Sequence, residues 1–102
     1  MQITIEHSDD RTITVNIAGE MDELGCNDAR PVFEQLVETH SNNHILLNLG
    51  QATFLDSSGI GAIVFLLKRL RTAGGDLSIC NVNGQPRELI RTLVALARSG
   101  RA

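Results

Sequence analysis

Chemistry-bearing residues are sparse in this 102-residue chain, and the densest group is Phe54-Leu55-Asp56-Ser57-Ser58-Gly59-Ile60-Gly61. It sets one carboxylate and two hydroxyls between a run of strand character, His44 to Leu49, and an amphipathic stretch of helical spacing, roughly Ser58 to Thr72. A helix N-terminus exposes unsatisfied N–H groups and a partial positive charge. A side-chain oxygen placed there caps the helix, and the same place also suits a phosphate. Spacing leaves both readings open. Asp56 or Ser57 serves as an ordinary cap, or a serine of the pair is a target for modification.

Modification would have a definite physical effect. A phosphoserine brings about −1.5 to −2 charge to the helix start. Asp56 is adjacent, and Asp22 is expected nearby, because the second and central strands should end at one sheet edge. The added charge would oppose any partner that used these carboxylates, while the core stayed intact. That is the physics of a reversible binding switch.

Enzymatic readings fare worse. Gly59-Ile60-Gly61 lacks the third glycine of a dinucleotide fingerprint, since Val64 stands there. No glycine-rich loop leads into Gly-Lys-Ser/Thr. A nucleophile elbow needs glycine two residues before its serine, and Leu55 and Asp56 occupy those positions for Ser57 and Ser58. His7, His40 and His44 sit at a strand end and around a loop, so they read as solvated surface histidines. Cys26 and Cys80 are too far apart for metal-ligand spacing. Cys80, alternating with Leu77 and Ile79, reads as a buried structural thiol. Neither catalyst, metal nor cofactor is expected.

The elements that must position the serine cluster follow in order. Ile3 to Glu6 and Thr12 to Ala18 alternate apolar and polar residues around the turn Ser8-Asp9-Asp10-Arg11, a hairpin pattern. Gly19-Glu20-Met21-Asp22 breaks it. Ala29, Val32, Phe33, Leu36 and Val37 form a helical core stripe, with Asn27 or Asp28 as cap and Pro31 in the first turn. Ser41-Asn42-Asn43 is a loop. The near-continuous apolar run Ile45 to Leu49 predicts a central strand covered on both faces, with Asn48 its one polar interruption.

The next helix carries the stripe Ile60, Ile63, Val64, Leu67 and Leu70, and Ala73-Gly74-Gly75 stops it. Asp76 to Asn81 is a further strand. Asn83-Gly84 turns, and Pro86 opens a last helix with Leu89, Ile90, Leu93, Val94 and Ala97 on one side. The tail from Arg98 to Ala102 is expected to fray. The order β-β-α-β-α-β-α predicts an α/β domain with a mixed, mostly parallel four-stranded sheet.

Composition bounds the function. With 12 acidic and 9 basic residues the net charge is −3, which weighs against binding to a phosphate backbone. Three Phe and no Trp or Tyr make a poor stacking surface for bases. No apolar run approaches membrane-span length, and no signal peptide stands at the start. The chain reads as a single cytoplasmic domain over residues 1–102.

Taken together, Gly19-Glu20-Met21-Asp22, Leu46-Leu47-Asn48-Leu49, Phe54 to Gly61 and Gly74-Gly75-Asp76-Leu77 resemble the STAS-domain family of bacterial anti-sigma-factor antagonists. The blocks match in order and spacing over nearly the whole chain. The resemblance implies a partner switch. An unphosphorylated antagonist binds a serine-kinase anti-sigma factor, that kinase phosphorylates it with ATP, and a PP2C-type phosphatase reverses the step. It implies Ser57 as phosphoacceptor, Ser58 as the neighbour that shapes the loop, and Gly19, Glu20, Asp22, Asp56 and Gly59 on the partner-facing surface. The alternative is a constitutive STAS scaffold, an accessory subunit in transport or secretion regulation whose serine loop is a fixed docking surface. One departure from the family is the short C-terminus, where a further short strand and helix are usual.

Overall fold

A computed structural model describes residues 1–7, 9–40 and 43–99. The elements are β1 (Gln2–His7), β2 (Thr12–Met21), α1 (Glu23–His40), β3 (His44–Leu55), α2 (Ser57–Thr72), β4 (Asp76–Cys80) and α3 (Gly84–Ser99). The strands form one sheet in the order β1-β2-β3-β4. β1 and β2 pair antiparallel, and β2, β3 and β4 run parallel. This is the expected architecture. At the hairpin turn, Asp9 Oδ1 accepts from the N–H groups of Arg11 and Thr12, both at 2.8 Å. Ser8 and residues 41 and 42 of the expected loop lie outside the described residues.

One face of the sheet makes the core. Ile13, Val15 and Ile17 of β2 and Ile45, Leu47 and Leu49 of β3 are fully buried against Ala29, Phe33 and Leu36 of α1 and Ile63, Leu66 and Leu70 of α2. Burial alternates along His44 to Gly50, so β3 is covered on one face and only half-covered on the other. The expectation of two covered faces is corrected here. Leu46 lies on the open face with Asn16 and Asn48, and its presence there is what made the run look continuous.

That open face carries a chain of side-chain amides. Asn16 Nδ2 donates to Glu6 Oε1 (3.2 Å), Asn48 Nδ2 to Asn16 Oδ1 (2.8 Å), and Asn81 Nδ2 to Asn48 Oδ1 (3.2 Å). Asn48 Oδ1 also accepts from Gly50 N at 2.9 Å. The last bond sits at a register shift. Asn16 pairs with Asn48, but Ala18 pairs with Gln51, so β3 holds one extra residue there. A second shift follows, from Gly19 with Ala52 to Glu20 with Phe54. Across the bulges the buried positions of β3 are Leu49, Ala52 and Leu55, a spacing that no strand template matches. That is why the sequence pattern stopped at Leu49, whereas the strand runs to Leu55.

Other boundaries moved for local reasons. α1 begins at Glu23, so Asn27 and Asp28 are interior and Pro31 stands in the middle of the helix. Pro31 has no N–H to offer the carbonyl one turn back, and it faces solvent, where water can serve that carbonyl. In α2 the buried stripe is Gly59, Ile63, Leu66 and Leu70, with Ile60 and Leu67 half-buried and Val64 exposed. Ile60 to Leu67 is apolar all round, so its pattern did not fix the helix's rotation. Cys80 is only half-buried, because β4 is a five-residue edge strand. α3 packs on the core through Leu89 and Ile90, while Leu93 and Val94 are exposed. The helix continues through Ser99, past the point where fraying was expected, and residues 100–102 lie outside the described residues.

Candidate functional site

Two parallel strands end side by side. Met21 pairs with Leu55, and each is followed by an aspartate that starts a helix. Asp22 Oδ1 accepts from Gly25 N (2.8 Å) and the Asp22 carbonyl accepts from Cys26 N (2.8 Å). Asp56 Oδ1 accepts from Ser58 N (2.9 Å) and Gly59 N (3.1 Å), and its carbonyl accepts from Ile60 N (3.0 Å). Both are side-chain N-caps that satisfy orphan donors of the first turn. The open question of which residue caps α2 is answered: Asp56 does. The caps of α1 proposed at Asn27 or Asp28 give way to Asp22.

Both caps are followed three residues on by a glycine with no room for a side chain. A Cβ on Gly25 would run into the Glu20 carbonyl oxygen. One on Gly59 would meet the Leu55 side chain and sit 2.6 Å from the Met21 carbonyl oxygen. The end of β2 is thus wedged between two helix starts, and glycine permits the approach. Gly19 serves differently. Its φ of 96° lies in the left-handed region that favours glycine, at the second register shift.

Ser57 is the first residue of α2 and is exposed, whereas Ser58 is half-buried. Because Asp56 takes the cap, the Ser57 hydroxyl is not required for it. Glu20 is exposed, and Asp22 and Asp56 are half-buried. The structure therefore brings Gly19, Glu20, Asp22, Asp56, Ser57, Ser58 and Gly59 to one end of the sheet.

A groove of about 540 Å³ opens beside the serines, between α1 and α2. Glu23, Cys26, Asn27, Arg30 and Ser58 line it with Phe33, Ala62 and Phe65. Burial first, then the negative charges of Asp56 and Asp22, push the Cys26 thiol above its ordinary range, with Arg30 opposing. One thiol thus feels both capping carboxylates. Leu24, in the first turn of α1, is 76% exposed, and Phe65 lies partly exposed under the Arg69 guanidinium, 5.4 Å from its ring centre. Gly25 and Leu24 were not singled out in the sequence, and Cys26 was considered there only as a metal ligand. The repeated Asp-x-x-Gly spacing, Asp22 to Gly25 and Asp56 to Gly59, was the signal that could have found them.

Among the described residues no group of three or more His, Cys, Asp or Glu could hold a metal ion, and no helix is long and apolar enough to cross a membrane.

A mixed sheet in this order, with an aspartate-serine turn beside the end of its second strand, defines a STAS domain. The chain belongs to that family, which matches residues 2–97. It is 31% identical over 83 residues to a protein named anti-sigma F factor antagonist from Paenibacillus polymyxa, covering 81% of this chain and 70% of the relative. Its fold matches the anti-sigma factor antagonist SpoIIAA in its unphosphorylated form, with a TM-score of 0.71, 20% identity, and 88% and 82% of the two chains covered. It matches the Bacillus cell fate determinant SpoIIAA in its phosphorylated form with the same score and identity, covering 89% of this chain and 82% of the other.

Proposed function

We propose that this chain is an anti-sigma-factor antagonist of a partner-switching pathway. Its unphosphorylated form binds a serine-kinase anti-sigma factor through Gly19, Glu20, Asp22, Asp56, Ser57, Ser58 and Gly59. That kinase transfers the γ-phosphoryl group of ATP to Ser57. The bond from Ser57 Oγ to phosphorus forms as the bond to ADP breaks, and the hydroxyl proton goes to a base of the kinase. A PP2C-type phosphatase hydrolyses the ester with water and releases inorganic phosphate.

The observation that carries the reading is the division of roles at the start of α2. Asp56 holds the helix and the exposed Ser57 hydroxyl is left over. A phosphate on Ser57 sits at the positive end of a helix, a favourable effect of about 0.3–1 kcal/mol per charge at an exposed terminus. The same phosphate stands beside the carboxylates of Asp56 and Asp22, which turns the surface strongly negative. Charge of that sign added at the contact slows association and suppresses docking of a partner matched to the unmodified surface.

The test is phosphorylation by the serine kinase recovered with the protein from its native cell, with ATP and mapping by mass spectrometry. Phosphate is expected on Ser57, none on Ser57→Ala, and unimpaired transfer to Ser58→Ala. Ser57→Ala keeps kinase binding, while Ser57→Asp and Ser57→Glu weaken it. Full phosphorylation of Ser57→Ala refutes the assignment. Stable co-purification with transport or secretion components, with phosphate never detected, would support a constitutive scaffold instead.

A further inference from the structure

β4 pairs with β3 only from His44 to Asn48, so the last part of β3 has no strand on that side. The start of α3 fills the gap. Asn83 Nδ2 donates to the Gly50 carbonyl at 3.4 Å. Gln85 does more. Its Oε1 accepts from Leu55 N at 2.8 Å, and its Nε2 donates to the Leu55 carbonyl at 2.7 Å. A carboxamide carries one acceptor and one donor group in a plane, as a peptide group does. Gln85 therefore stands in for the missing rung of a neighbouring strand.

We infer that Gln85 is a positioning residue for the Ser57 acceptor. The inference rests on the phosphoacceptor reading above. The Leu55 carbonyl belongs to the peptide that links Leu55 to Asp56, so Gln85 Nε2 holds the orientation of that plane. Asp56 follows with an extended backbone, φ −122° and ψ −168°, and the next residue is Ser57. Two fixed points thus frame the serine. The Asp56 carboxylate anchors the helix after it, and Gln85 anchors the strand before it. Met21 pairs with Leu55 from the other side. Without Gln85, the Leu55 N–H and carbonyl lose their partner on that side, and only the pairing with Met21 steadies the end of β3. Phosphoryl transfer needs the attacking oxygen in line with the leaving group, and a displacement of about 1 Å lowers such rates by up to roughly a hundredfold.

The experiment compares wild type with Gln85→Ala, Gln85→Glu and Leu89→Ala, using the serine kinase captured from the native cell and ATP. Gln85→Glu keeps an acceptor for Leu55 N but sets a carboxylate oxygen against the Leu55 carbonyl. Leu89→Ala loosens the packing of α3 and leaves the amide pair in place. In both Gln85 variants kcat for Ser57 phosphorylation falls about tenfold or more, with KM within about twofold. Leu89→Ala keeps the wild-type kcat. Amide exchange, measured by NMR without kinase, speeds up at Leu55, Ser58 and Gly59 in Gln85→Ala and stays unchanged at Ile13 and Ile45. Unchanged kcat in the Gln85 variants, or an equal fall in Leu89→Ala, overturns the positioning role and leaves the phosphoacceptor reading standing. A wild-type protein that never takes phosphate on Ser57 overturns that reading, and the role of Gln85 with it.

Discussion

Gly59 and Gly61 lie two residues apart on α2 and should respond to alanine with opposite signs. At Gly61 a new Cβ meets no atom within 4 Å. Alanine there gains helix propensity, about 0.5–1 kcal/mol, and restricts the unfolded chain. At Gly59 the same gain is offset by overpacking. The new Cβ would lie 2.6 Å from the Met21 carbonyl oxygen and 3.0 Å from Met21 Cβ, and it would collide with the Leu55 side chain. Met21 and Leu55 are both fully buried, and they are paired with each other in the sheet. Relief therefore requires α2 to move away from the sheet. Overpacking in a tight core costs about 1–3 kcal/mol, and a backbone oxygen as the obstacle argues for the upper end. Gly59→Ala should thus lose about 2 kcal/mol, and the pair should differ by about 2.5–3 kcal/mol. Urea unfolding followed by circular dichroism reads this as opposite shifts of the midpoint at constant slope. In thermal unfolding each kcal/mol corresponds to about 4–8 °C for a domain of this size. Gly59→Ala at or above wild-type stability would refute the packing argument, as would a loss from Gly61→Ala.

Other outcomes follow from single contacts. Asp56→Ala removes both acceptor contacts of the α2 cap and should lower stability by about 1 kcal/mol, within a range of about 0.5–2, in the same urea assay. Burial and the two neighbouring carboxylates hold the Cys26 thiol protonated. Its alkylation by iodoacetamide at pH 8 should be slower in the folded protein than in urea, and in the folded protein the rate should go on rising with pH beyond the point where the unfolded thiol levels off, because the thiolate is the nucleophile. The Asp9 carboxyl is held below its ordinary range by the N–H groups of Arg11 and Thr12, and that of Asp76 by Leu77 N–H and then Arg71. Depressed carboxyl pKa values stabilise the fold above the ordinary range near pH 3.8, and the contribution is lost as pH falls through the lowered values. Asp9→Asn and Asp76→Asn should each flatten the acid limb of a stability-against-pH curve and leave its slope above pH 6 unchanged.

What the sequence made legible depended on how regular each element is. The hairpin, the parallel set and the helix order could be read because Ile13, Val15 and Ile17 alternate cleanly and Ala29, Phe33 and Leu36 keep helical spacing. The convergence of Asp22 and Asp56 followed from topology alone. The bulged half of β3 was hidden, since Gly50 to Phe54 fits neither template. The true start of α1 was hidden because Pro31 suggested a first turn that lies eight residues upstream of it, at Glu23. The roles of the Gln85 and Asn48 amides could not be read. Gln85 bonds the Leu55 backbone 30 residues away, and Asn48 bonds the Asn16 and Asn81 side chains 32 and 33 residues away, and only folding makes these neighbours.

The two extra residues in β3 have a consequence for length. Each shifts the pleat by one position, so together they act as a double frameshift between the core and the serine turn. Removing one residue from the 50–53 stretch would turn Leu55 out of the core and carry Asp56 away from the first turn of α2. Exchanging a residue there for another of similar size leaves the frame intact. The segment leading to Ser57 should therefore accept substitutions far more readily than any change in its number of residues. A deletion scan against an alanine scan across residues 50–53 would show the contrast in yield of folded protein.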